Sequence, residues 1–384
     1  MRTAVHAGNR TLSNAKAAKQ DEFYTQYDDI QKEVEAYLEY DPDTFRGKVV
    51  YCNCDDPYES NFFKYFAANF NRLGLKRLIT TSYDGSPIAG QGVLFPEYDA
   101  ENGNRPRPKA LAVVIDRVQD EDGDGAVSIA DVEVFLKTNN AARIPLKGNA
   151  TYPGGDFRSP ECIEFLKQAD IVVTNPPFSL FREYVAQLVE HDKKFLIIGN
   201  QNAITYKEIF PLIKENKIWL GVGFANGNAY FSIPTSRVRE FAPGVYNETT
   251  GLVKFRNVGW FTNLDHGRRH QELQLMTMAD NLRYNKRLRG TMAYQRYDNY
   301  DAIEVPFTEA IPSDYDGAMG VPITFLDKYN PEQFEILGAT ESEGRGFSNG
   351  LWRGGVAQAL VNGKKVYKRL FIRHRRKSAQ EGAR

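Results

Sequence analysis

Apolar residues along this chain alternate between short unbroken runs and longer stretches with helical spacing. The run from Lys48 to Cys54 is halted by Asp55-Asp56-Pro57, which predicts a buried strand closed by a turn. An amphipathic stretch from about Asp28 to Leu38 precedes it. Residues Ser60 to Leu73 follow, and Phe62, Phe63, Tyr65, Phe66 and Phe70 give them a broad aromatic helix face. Leu75 to Thr80 predicts a second strand. Strand, helix and strand at this spacing predict a βαβ unit, and hence a mostly parallel sheet. Residues 96–150 break the alternation with Pro, Gly and acidic residues around a third strand, Leu111 to Ile115, and read as an insertion. The rhythm resumes with a helix at Ser159–Gln168, a strand at Ile171–Thr174, a helix at Leu180–Glu190 and a strand at Lys194–Gly199. Beyond about Ser236 the text turns to Gly, Asn, Tyr and Arg. The pattern therefore predicts an α/β domain over residues 1–240 and a different region over 241–384.

Composition narrows the class. With 384 residues, 42% hydrophobic and 26% charged, the chain can bury a sizeable core as an ordinary globular protein. No run of 18 apolar residues occurs, and Met1 to Gln20 lack the apolar stretch of a secretory signal. The expectation is a cytoplasmic protein, read as monomeric, with no membrane partner. Cys52 and Cys54 share one strand face, and Cys162 does not complete a zinc set, so buried thiols are expected. The formal net charge is zero but segregated: residues 95–135 hold ten acids against four bases, and residues 362–384 hold nine bases against one acid. Segregation of this kind leaves room for a positive, phosphate-binding face.

Asn175-Pro176-Pro177-Phe178 lies directly after an apolar strand and before a helix. In an open parallel sheet that is where ligands bind. Two prolines fix φ and remove two backbone donors, so the loop is rigid and its carbonyls are available. The Asn175 side-chain carbonyl and the Pro176 carbonyl can converge on an exocyclic amino group, raising its lone pair toward an electrophile, while Phe178 stacks on the ring. Methyl transfer from a sulfonium suits such a loop, because it is an in-line displacement that depends on positioning. The acceptor remains open at this point: adenine, cytosine or a protein glutamine.

Three further segments fit a cofactor pocket at the strand ends. Asp55-Asp56-Pro57-Tyr58 resembles the Asp-Pro-aromatic-x-Gly turn of amino-methyltransferases, with Ser60 in place of the glycine. Either Asp55 or Asp56 can take a cationic amino group, or cap the next helix. In Gly155-Asp156-Phe157, Asp156 can accept from an adenine amino group with Phe157 stacking nearby. Phe23, Tyr24 and Thr25 lie in Glu22-Phe23-Tyr24-Thr25-Gln26, either a cofactor contact or aromatic packing at a helix start.

Together these segments resemble the EcoRI-type adenine-specific DNA methyltransferases. The likeness runs through Asp21–Tyr27, Lys48–Pro57, Gly155–Ser159, Asp170–Tyr184, Glu215–Gly221, Tyr297–Ile303 and Gly320–Leu326. It implies a Rossmann-like S-adenosylmethionine-dependent core and double-stranded DNA as substrate. It further implies N6-methyladenine as product, in a restriction–modification role beside a cognate endonuclease or as an orphan enzyme. It assigns Asn175 to Phe178 to the adenine site, Asp56 and Asp156 to the cofactor site, and residues 241–384 to target recognition. The text departs from the family at 221–260 and 264–296. A glutamine-N5 or RNA adenine-N6 methyltransferase is the rival reading, and a non-catalytic DNA-binding protein another; the basic Arg/Tyr region and the Phe-Tyr-Thr segment favour DNA adenine.

Two clusters remain. Asp120, Asp122, Asp124, Ser128 and Asp131 occupy positions 1, 3, 5, 9 and 12 of a loop with the spacing of a calcium-binding EF-hand, with Asp in place of Glu at the last position. That loop is either a structural Ca2+ site or a solvated acidic loop. Arg268, Arg269, Arg283, Lys286, Arg287, Arg289 and Arg296, interleaved with Tyr284, Tyr294 and Tyr297, are the candidate DNA contacts. Arg373 to Lys377 add phosphate contacts or form a tail.

Overall fold

The computed structural model describes residues 24–55, 60–83, 110–120, 123, 128–138, 143–224, 227–232, 244–340, 347–348 and 350–375. The chain divides into two compact units, Met1–Gln201 with Gly223–Leu264, and Asn202–Val222 with Asp265–Arg384.

In chain order the first unit holds β1 (Tyr24–Thr25), α1 (Tyr27–Tyr40), β2 (Val49–Cys52), α2 (Asn61–Ala68), α3 (Phe70–Leu73), β3 (Arg77–Thr81), β4 (Leu111–Ile115), α4 (Ile129–Thr138) and β5 (Arg143–Pro145). It continues with α5 (Pro160–Gln168), β6 (Ile171–Thr174), α6 (Phe181–Glu190), β7 (Lys194–Asn200), β8 (Asn228–Ser232), β9 (Tyr246–Asn247), β10 (Leu252–Arg256) and β11 (Val258–Thr262). Its main sheet runs β5-β4-β3-β2-β6-β7-β11. The central four strands are parallel, with Val50 opposite Leu78 and Ile171, and Ile171 opposite Lys194. Every residue of β2 and β6 is buried, as expected of strands covered on both faces.

The flanks depart from the expected parallel series. β4 runs antiparallel to β3, β5 antiparallel to β4, and β11 antiparallel to β7. An antiparallel neighbour needs no helical crossover, so the interrupted rhythm after β3 still yields a paired strand. A smaller antiparallel sheet, β1-β8-β10-β9, pairs Thr25 with Phe231 and Phe231 with Val253. The first unit therefore continues past residue 240 to Leu264. Aromatic packing is the reason: the Trp260 ring meets Phe62 at 5.8 Å and stacks on Phe224 at 5.6 Å.

From β2 the chain steps to β3 on one side and later places β6 on the other. The strand order reverses between β2 and β6, and the crevice at their carboxyl ends is where such sheets bind ligands.

The second unit contains α7 (Met278–Tyr284), β12 (Ile303–Glu304), β13 (Met319–Pro322), β14 (Phe334–Ala339) and β15 (Arg369–His374), in sheet order β12-β13-β15-β14. A buried Arg369–Glu304 ion pair at 2.6 Å, joined by the Tyr297 hydroxyl, fastens β15 to β12. Among the described residues no helix is long and apolar enough to cross a membrane.

Candidate functional site

Buried threonines lace together the carboxyl ends of β2, β3 and β6. The Thr174 hydroxyl donates to the main-chain carbonyl of Asn53. Thr81 Oγ1 donates to Asn53 Oδ1 at 3.1 Å, and Thr80 Oγ1 to the Asp55 carbonyl at 2.6 Å. The Asp55 amide returns a bond to the Thr81 carbonyl at 3.1 Å. From this floor Asn175-Pro176-Pro177-Phe178 leaves β6, with Pro176 buried and Asn175, Pro177 and Phe178 half-buried. The Leu180 amide donates to the Pro177 carbonyl at 2.9 Å, turning the loop through a short 3-10 segment into α6. The loop thus stands at the reversal of strand order, with an asparagine carboxamide beside two prolines that carry no donors.

The turn after β2 lies next to it. Asp55 is buried and accepts from Ser60 Oγ at 2.8 Å, while Ser60 also caps α2 through the amide of Phe62 at 3.1 Å. The serine that breaks the glycine motif is therefore a cap, and it ties the acidic turn to the helix. Asp56 lies outside the described residues, as does Phe23. Asn61, the first residue of α2, donates to the Thr25 carbonyl at 2.7 Å, which brings the N-terminal segment to the same turn. Thr25 is buried and its hydroxyl has no hydrogen-bond partner, whereas Tyr24 is half-buried. An orphaned buried hydroxyl of this kind is costly unless a ligand completes it.

Gly155-Asp156-Phe157 closes the far side. Gly155 sits at φ +77°, and a Cβ there would lie 1.8 Å from the Ser82 carbonyl just beyond β3, so only glycine fits. Asp156 is buried and held by Arg158, whose Nε and Nη2 donate to its two oxygens, each at 2.9 Å. The Arg158 amide adds a third bond to Asp156 Oδ1, leaving Oδ2 the oxygen with an acceptor site to spare. Arg158 also reaches Glu183 on α6 at 2.9 Å, and its hydrogen bond to Asp156 raises its own pKa. Phe157 is buried edge-on against Tyr184 of α6 at 5.0 Å, and Gln187 donates to its carbonyl. Arg158, Ser60 and the strand-end threonines were not among the expected site residues. Arg158 had one local signal, its place two residues after Asp156.

The acidic loop has a different local logic. Asp131 is buried and accepts from the Ser128 amide at 2.6 Å, while Ser128 Oγ accepts from Ala130: a capping box opening α4. Asp120 accepts from the Gly123 amide at 2.7 Å. Asp122 and Asp124 lie outside the described residues, and among the described ones no group of three His, Cys, Asp or Glu stands ready to hold a metal.

The expected DNA contacts separate into two kinds. Arg269 is buried, stacked 3.5 Å over the Trp219 ring, paired with Asp265 at 3.1 Å and bonded to Asn216 at 2.5 Å. It is a packing residue and presents nothing to a phosphate. Arg268 donates to the Val222 carbonyl. Arg283, Lys286, Arg287 and Arg289 are exposed on α7 and the turn after it. Arg287 lies 3.6 Å from Glu309, and Arg296 3.3 Å from Asp301. Tyr297 is buried and the Tyr294 hydroxyl donates to the Ala310 carbonyl, so Tyr284 is the exposed member of the aromatic set. Arg373, His374 and Arg375 are partnered around β15 by Glu335 and the carbonyls of Pro312 and Pro331.

A family model described as "Adenine-specific methyltransferase EcoRI" matches residues 11–376. The chain is 44% identical over 383 residues to the Type II methyltransferase M.EcoRI of Escherichia coli, an alignment covering 97% of this chain and 99% of that protein. It is 35% identical over 330 residues to the Type II methyltransferase M.MpnI of Mycoplasma pneumoniae, covering 85% of this chain and 84% of the relative. It is 37% identical to M.MgeORF184P of Mycoplasma genitalium, covering 85% of each. No solved structure matches the chain.

Proposed function

The chain belongs to the EcoRI family of adenine-specific methyltransferases, and from that premise we propose that it methylates the N6 amino group of a flipped-out adenine within one recognised sequence of double-stranded DNA. The donor is S-adenosylmethionine and the setting restriction–modification. The first unit is the Rossmann-like catalytic part and the second carries target recognition. The observation that carries this reading is the position of Asn175-Pro176-Pro177-Phe178 at the carboxyl end of β6, where the strand order reverses.

The residues present fit the cofactor. Asp55 and Asp156 provide carboxylates on a dry floor, and the orphaned Thr25 hydroxyl offers a further polar contact. Once bound, S-adenosylmethionine supplies an electrophilic methyl on a sulfonium. Asp55 answers the cationic amino group, and Asp156, oriented by Arg158, accepts from the purine amine through Oδ2. The Asn175 carboxamide oxygen and the Pro176 carbonyl accept from the two N6 hydrogens, which turns the nitrogen lone pair toward the methyl. Phe178 stacks on the base. Holding nucleophile and electrophile in line is the main contribution, because effective molarity supplies much of the rate. A base inside a duplex cannot reach this loop, so the adenine is extruded first.

The test is to incubate the protein with labelled S-adenosylmethionine and unmethylated duplex DNA, then digest to nucleosides. Label is expected in N6-methyldeoxyadenosine. Label confined to 5-methylcytosine, N4-methylcytosine or protein refutes the assignment.

A further inference from the structure

Tyr184 carries a hydroxyl that the folded chain does not use. The residue stands on α6, the helix that leaves the Asn175 loop, and is fully buried. Tyr37, Tyr51, Tyr65 and Tyr300 are buried as deeply, and each of their hydroxyls has a partner. These are Glu33 at 3.0 Å, Thr81 at 3.1 Å, Arg72 at 3.1 Å and the Ala357 carbonyl. The Tyr184 hydroxyl has none among the described residues. An unpaired buried hydroxyl is destabilising, and phenylalanine would fill the same space without that cost.

The surroundings say where the hydroxyl points. The Tyr184 ring meets Phe157 edge-on at 5.0 Å. The ionisable groups that act on the hydroxyl most strongly are Cys54 and Asp55, ahead of Cys162 and Cys52. The phenol therefore reaches from the Gly155-Asp156-Phe157 segment toward the turn after β2. Burial holds its pKa well above the usual value of 10, so the group stays protonated and is a donor. α6 is fixed in this place by Gln187, which donates to the Phe157 carbonyl at 3.1 Å, and by the Glu183–Arg158 ion pair at 2.9 Å. A rigid donor thus stands between two of the segments that border the crevice.

We propose that the Tyr184 hydroxyl donates a hydrogen bond to the carboxylate at the amino-acid end of bound S-adenosylmethionine. The inference rests on the cofactor reading above, in which Asp55 answers the ammonium group. An α-ammonium and its carboxylate hang from one carbon, so a donor beside Asp55 stands where that carboxylate lies. The phenol is neutral, so it serves the carboxylate without pairing with Asp55 and cancelling its charge. A hydrogen bond to an ionised acceptor is also among the stronger ones.

The experiment titrates the full chain, by calorimetry, with S-adenosylmethionine and with decarboxylated S-adenosylmethionine, which keeps the amino and sulfonium groups and lacks the carboxylate. Tyr184→Phe is expected to bind S-adenosylmethionine about ten-fold more weakly, the scale of one hydrogen bond to a charged group. The same variant is expected to bind the decarboxylated ligand as tightly as the wild type does. Without ligand it should melt at the wild-type temperature or above, because no bond within the folded chain is lost. Unchanged affinity for S-adenosylmethionine overturns the proposal, and so does an equal loss for both ligands. A ligand-free variant that melts lower overturns it too, since the hydroxyl would then already have a partner. Wild-type protein that binds neither ligand sinks the cofactor reading itself, a separate failure.

Discussion

The hydroxyl of Thr174, last residue of β6, donates to the main-chain carbonyl of Asn53, the residue after β2. The bond joins the two strand ends between which the sheet order reverses, and it fixes the origin of the Asn175 loop relative to the Asp55 turn. Thr174→Val keeps the shape and leaves the buried carbonyl unsatisfied, at a cost of about 2 kcal/mol. A thermal melt is expected to show that loss, and steady-state kinetics a fall in kcat larger than the rise in KM for DNA. Wild-type kcat would mean the loop is positioned by something else.

In the proposed mechanism Asn175→Ala removes one of the two acceptors for the amino group and leaves the proposed cofactor residues, Asp55 and Asp156, in place. Turnover is expected to drop by at least about a hundred-fold, the scale of losing one electrostatic contact in a transition state. Binding of S-adenosylmethionine, measured by calorimetry, is expected to persist. Retained methylation would exclude Asn175 from the reaction.

Arg158→Ala strips the buried Asp156 of its guanidinium partner and severs the link to Glu183 on α6. Removing one member of a buried pair destabilises by about 3 kcal/mol. Cofactor affinity should fall with it, and Arg158→Lys should restore little, because a point charge cannot span both oxygens. Full rescue by lysine would argue against the bidentate orientation.

In the second unit His266 is buried, with Nε2 donating to the Leu220 carbonyl at 3.1 Å. Burial, with Arg269 and Arg268 nearby, pushes its pKa down to about 4 from 6.5. Between those values the unfolded chain binds the extra proton, so the stability contribution is complete above pH 6.5 and is lost as pH falls toward 4, amounting to about 3 kcal/mol. Melting temperatures from pH 7 to 4.5 should fall more steeply for the wild type than for His266→Asn. Parallel slopes would refute the assignment.

Much of the site was legible in linear text. Strands such as Val49–Cys52 and Ile171–Thr174 are continuous apolar runs because both faces are buried, and the chemistry proposed for the Asn-Pro-Pro-Phe segment is read from four consecutive residues. The calcium spacing at 120–131 shows the opposite case. Ser128 and Asp131 also form a capping box at the start of α4, since both motifs need oxygens three residues apart, while Asp122 and Asp124 lie outside the described residues. Arg269 likewise reads as one more cation in a basic stretch until its packing on Trp219 is seen.

The sequence by itself determined the strand–helix alternation and the family, and it singled out Asn175 to Phe178 as the candidate loop, because each is written in local periodicity or contiguous residues. Tertiary structure alone decided which strand ends meet, that β4 and β11 run antiparallel, that Asp156 is steered by Arg158, and which cations are left for a partner. Those depend on contacts between residues distant along the chain, and burial, which fixes a charge's role, is a property of the packed fold.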